Sequence, residues 1–146
     1  MKKILMLALV LSGIYGAALA QTKEIFVKDG YAIGGYDPVA FFTANKAVKG
    51  DTGISVTWKN AKWLFSNNKH ADLFRANPEQ YAPQYGGYCA YGCSKGYKAN
   101  TDANAFTITN GKLYFNYNLK TREEWMKDIK AYIMKADEQW DKLINQ

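Results

Sequence analysis

Apolar positions along the chain change period several times, and each change marks an element. Ile54, Val56 and Trp58 alternate with Ser55 and Thr57, and Lys62-Trp63-Leu64-Phe65-Ser66 follows after Lys59-Asn60-Ala61, which predicts a β-hairpin. His70, Leu73, Phe74 and Asn77 then recur at spacings of three and four, predicting a helix from Asn67 to Ala76 that Pro78 ends or restarts. Ala105 to Thr109 and Lys112 to Tyr117 flank Asn110-Gly111, whose residues tolerate the positive φ of a tight hairpin turn, so a second hairpin is expected there. Trp125, Ile129, Tyr132, Ile133, Ala136, Trp140, Leu143 and Ile144 give one continuous apolar helical face. Thr121-Arg122-Glu123-Glu124 has the form of a capping box ahead of it.

Shorter signals fill the gaps. Ile25 and Val27 alternate with Phe26 and Lys28, as in an edge strand. Asp37 suits an N-cap and Pro38 the first helical position, so a helical turn is expected through Phe42. Pro78 to Gly87 holds too many breakers for one element and reads as a helical turn followed by a loop, and Tyr88 to Ser94 reads as a short helix stopping at Lys95-Gly96. The apolar face of the last helix must cover something, most simply a sheet. The expected class is therefore α+β: a small antiparallel sheet built from two hairpins, packed against short helices and a long C-terminal helix.

The first residues do not belong to this pattern. Lys2 and Lys3 precede an apolar run from Ile4 to Val10, which continues weakly to Ala18-Leu19-Ala20. These are the charged, apolar and small-residue regions of a signal peptide over residues 1–20, leaving 21–146 as one domain, periplasmic or secreted. Ser12, Gly13 and Gly16 interrupt the run, whereas a membrane anchor needs about 20 apolar residues, so no stable insertion is expected after cleavage. Removing Lys2 and Lys3 lowers the formal charge from +6 to +4. Only Arg75 and Arg122 are arginines, and the scattered lysines read as a solvated surface, so nucleic acid is not an expected partner.

Several stretches, in order, carry a family resemblance: Gly35-Tyr36-Asp37-Pro38-Val39-Ala40-Phe41-Phe42, Trp63-Leu64-Phe65-Ser66, Phe74-Arg75-Ala76-Asn77-Pro78-Glu79-Gln80-Tyr81, and Tyr85-Gly86-Gly87-Tyr88-Cys89-Ala90-Tyr91. Together they resemble the exported, single-domain branch of the YHS-domain family. YHS modules accompany heavy-metal and copper-handling proteins, where a Cys-bearing version resembles a metal-binding finger; the thiolate set of that version is lost here, so the resemblance implies the fold and the exported branch and not a finger-type metal site. In that version Cys would stand at the positions held here by Ala40, Ser66 and His70.

Cys89 and Cys93 are the two thiols of the chain, four residues apart in a segment with helical character, so both can face one side. Three readings follow. An exported protein with an even cysteine count can join them as a disulfide, which would add at most about 2 kcal/mol across so short a loop and leave the chain a structural or interaction module. As thiolates they suit Cu(I), completed by His70, Met126 or Met134. A zinc site lacks a convincing fourth ligand. The third reading is a thiol/disulfide redox protein centred on Cys89, with His70 lowering its pKa. His70, the single histidine, otherwise reads as a solvent-facing or satisfied core residue. Tyr81, Tyr85, Tyr88 and Tyr91 read as a packed cluster, and Gly86-Gly87 as a site of close backbone approach. No paired carboxylates or nucleophilic serine motif appear, so the expectation leans towards a non-enzymatic binding protein with copper as its most concrete ligand.

Overall fold

The computed structural model describes residues 24–146; the expected signal segment lies outside the described residues. Among the described residues the fold is α+β, with six α-helices and three antiparallel two-stranded sheets. β1 (Val27–Lys28) pairs with β2 (Tyr31–Ala32), β3 (Asp51–Trp58) with β4 (Ala61–Phe65), and β5 (Asp102–Thr109) with β6 (Lys112–Asn116). Both expected hairpins form, each as its own ladder. Their turns are two-residue loops in which both residues take positive φ, Lys59 and Asn60 in the first and Asn110 and Gly111 in the second. Each long ladder carries an irregularity, between Asp51 and Ser55 and between Asp102 and Phe106. The edge strand differs from expectation: Ile25 and Phe26 are both buried, while Val27 and Lys28 are both exposed.

α1 (Pro38–Ala44) starts as expected, with Asp37 as N-cap and Pro38 at the first position. α2 (Asn68–Ala76) is capped by the Asn67 side chain, and Pro78 restarts the chain as α3 (Pro78–Tyr81). α4 (Ala90–Ser94) is short and has Cys89 as N-cap. The expected long helix is divided into α5 (Leu119–Met126) and α6 (Ile129–Leu143). Thr121 opens no capping box. It lies inside α5 and donates its backbone N–H to the true N-cap, Asn118, while the Asp128 side chain caps α6. Asn and Asp are stronger caps than Thr, and each sits in extended or non-helical backbone immediately before its helix.

Two apolar clusters share β6 as a wall. Leu113 and Phe115 face a cluster that includes Val39, Phe41, Trp63, Phe65 and Phe74, whereas Tyr114 faces one with Tyr85, Cys93, Trp125, Ala136 and Leu143. The period-two alternation of a strand thus serves a core on each side. The four tyrosines expected as one cluster are packed but divided between the two: Tyr81 meets Phe42 on the first, while on the second Tyr85 meets Tyr114 and Trp140, Tyr88 meets Trp140 as well as Phe26, and Tyr91 meets Tyr132.

Gly86 fixes how the first described residues dock. A Cβ at this position would lie 1.7 Å from the Glu24 carbonyl oxygen, and Phe26 N–H donates to the Gly86 carbonyl at 2.9 Å. The neighbouring Tyr85 also takes positive φ, an uncommon conformation for an aromatic residue. Its hydroxyl donates to Asp137 at 2.8 Å, and burial together with that carboxylate pushes the phenol well above its usual range.

Candidate functional site

Two buried polar centres stand out. The first is built on Asp37, which is 0% exposed. Its Oδ1 accepts the backbone N–H groups of Val39 and Ala40 at 2.9 and 3.2 Å, the expected N-cap bonds. Its Oδ2 accepts the Ser66 N–H at 2.9 Å and the Ser66 hydroxyl at 2.6 Å, and lies 2.6 Å from His70 Nδ1. The carboxylate therefore joins the start of α1, the end of β4 and the first turn of α2. Ala40, Ser66 and His70 meet at this one group.

Ionic and neutral chemistry agree on what the ring does. Nδ1 donates its proton to Asp37, which leaves Nε2 as the nitrogen that faces other chemistry. Ser66 Oγ sits on the Nδ1 side, 3.5 Å from that nitrogen, and gives its own proton to the same carboxylate oxygen. A catalytic serine would need to lie at Nε2, so these three residues are not arranged as a Ser-His-Asp triad. Asp37, Ser66 and the Nδ1 side of His70 hold three elements together.

The second centre surrounds the thiols. Cys89 and Cys93 are free and buried, 1% and 0% exposed. The helical bond from Cys93 N–H to Cys89 carbonyl, 2.9 Å, stacks them one turn apart. Cys89 Sγ accepts Gly92 N–H at 3.4 Å and donates to Asn116 Oδ1 at 3.5 Å, and the same oxygen accepts Tyr91 N–H at 3.1 Å. Asn116 is itself 0% exposed because it ends a strand that is buried on both faces. Its Nδ2 has no hydrogen-bond partner among the described residues, and neither does the buried Nε1 of Trp125.

Electrostatics separate the two sulfurs. Burial raises the Cys89 thiol, and the backbone N–H groups of Gly92, Tyr117 and Tyr91 pull it partly back. Cys93 lacks that cradle: burial, reinforced by the neighbouring Cys89, pushes it up to about 12 against a small opposing pull from Lys98. Neither resembles the depressed thiol of a nucleophilic cysteine.

The expected ligand set is brought together only in part. Cys89 and Cys93 are neighbours, whereas His70 is engaged by Asp37 and Ser66, and Met126 and Met134 are exposed on α5 and α6. Among the described residues no group of three or more His, Cys, Asp or Glu side chains is placed to hold a metal ion. Asp37 as a hub and Asn116 as the partner of Cys89 were missed by sequence reasoning. Asp37 announced only its capping role; Ser66 and His70, four apart, hinted at a shared face but not at what they face. Compared with protein-family models, curated proteins and solved structures, the chain matches none of them.

Proposed function

We propose that the chain is an exported, non-enzymatic binding module of the YHS type, and that Cys89 and Cys93 hold Cu(I) as two thiolates. The observation that carries this reading is the pair of free, buried thiols stacked on one turn, a soft two-donor set. Cu(I) accepts two sulfur ligands, while structural zinc wants four, so the donor count fits the former and not the latter. The two sulfurs would capture the soft ion, and the cysteines would release their protons as it binds. The gathering of Ala40, Ser66 and His70 round Asp37 supports a YHS-like fold in which that corner has become a hydrogen-bonded lock. A thiol redox role is weaker, because burial raises both thiols and His70 is bonded elsewhere.

The test is Cu(I) uptake under reducing conditions, measured by competition with a chromophoric chelator. One Cu(I) per chain is expected, abolished in Cys89→Ser and in Cys93→Ser and retained in His70→Ala. Wild-type protein that takes up no Cu(I) while both thiols remain reduced overturns the metal reading.

A further inference from the structure

The two apolar clusters meet at a cleft of ≈ 350 Å³, a volume within the lower range of small-ligand pockets. Trp58, at the turn end of β3, packs with the first cluster through Trp63 and Phe74. Trp140, from α6, packs with the second through Tyr85 and Tyr88. Both tryptophans line the cleft and both remain partly exposed. Pro83 and Gly86 contribute backbone-rich lining between them.

Four charged side chains complete the lining, two carboxylates and two ammonium groups. Glu24 and Lys59 are already paired at 2.5 Å, with Lys59 Nζ 4.9 Å from the centre of the Trp58 ring. Glu79, Lys112 and the Gln84 amide make no side-chain hydrogen bond or ion pair with the described residues. The cleft therefore presents a free acceptor, a free donor and a group that is both, beside indole surface.

Balanced charge decides the ligand class. A simple anion would meet the carboxylates and a simple cation the ammonium groups, so neither gains from the whole lining. An uncharged polyhydroxylated molecule gains from all of it: hydroxyls donate to Glu79 and accept from Lys112, Gln84 does either, and the C–H face of a sugar ring lies against indole. We propose that this cleft is a saccharide-binding site, with Glu79 and Lys112 as its hydrogen-bonding pair and Trp140 as its apolar platform. It is separate from the thiol centre and does not depend on copper.

The test uses the full chain titrated with maltohexaose, cellohexaose and chitohexaose, followed by tryptophan fluorescence and calorimetry. Saturable one-to-one binding of at least one of them is expected. Glu79→Gln and Lys112→Gln, both at exposed positions that leave the cores intact, should each weaken it by about tenfold, the effect of losing a hydrogen bond to a charged group. Cys89→Ser should leave it unchanged. No saturable response to any of the three sugars overturns the proposal, as does binding that is insensitive to both variants. A response confined to the zwitterionic peptide Gly-Gly-Gly would overturn it too, since that would assign the free carboxylate and ammonium to a peptide instead.

Discussion

Asp37 and Asn116 are both fully buried polar side chains, yet they are served very differently. Asp37 has both oxygens occupied, by two backbone N–H groups at one and by Ser66 and His70 at the other. Asn116 has its oxygen shared between Tyr91 and Cys89 and its amide nitrogen unbonded. The difference follows from charge. An isolated carboxylate in an apolar interior is prohibitively costly, whereas a neutral amide that misses one bond costs about 1–3 kcal/mol. The molecule thus places full satisfaction where three elements must be locked, and tolerates a deficit beside its thiols.

Asp37→Ala breaks the comparison most directly. It removes the acceptor for five donors, His70 Nδ1 among them, and a buried donor left without a partner costs about 1–3 kcal/mol. Urea denaturation should register a loss of at least that size. A variant close to wild-type stability would show that the centre is not a lock.

How much of this was legible in the chain depends on range. Asn110-Gly111 and Asp37-Pro38 act on their own neighbours, so their turn and cap could be read from residue type alone, whereas Asn67, expected inside α2, turned out to cap it. Thr121 misled because its spacing to Glu124 has the right form, while Asn118 and Asp128 hold the cap geometry. Ser66 and His70 lie 29 and 33 residues from Asp37, and nothing local announces that they share its oxygen. Asn116 was hidden for a related reason: a polar residue at a strand end reads as solvent-facing, but β6 has a core on each side.

Two smaller changes sharpen the contrast. Ser66→Ala removes the hydroxyl bond to Asp37 Oδ2 and keeps the backbone one, so chemical denaturation should show a loss of about 1.5–3 kcal/mol, the range for a bond to a charged group. Asn116→Ala leaves Tyr91 N–H without its acceptor but also removes an unbonded donor, so its measured cost should be lower than that of Asp37→Ala. Equal losses for Asn116→Ala and Asp37→Ala would mean that satisfaction of the polar atoms does not govern what these positions contribute.

The smallest effect at neutral pH lies in Cys93, and it becomes visible only in alkali. The folded chain holds this thiol protonated up to about 12, from an ordinary value of 9.0. Above pH 9 the unfolded chain loses the proton while the folded chain keeps it, so unfolding releases protons and stability falls as pH rises. The stabilisation is complete below pH 9 and disappears through about pH 12. Cys89 and Tyr85, raised in the same direction, contribute to the same decline, so the diagnostic quantity is the difference between proteins. Cys93→Ala should flatten the slope of unfolding free energy against pH above 9, while costing about 1 kcal/mol at pH 7 for the lost sulfur contact. An unchanged alkaline slope would mean that Cys93 ionises as readily in the folded chain as in the unfolded one, and the thiol centre would then be far more open to solvent than the sealed Asp37 centre it is set against.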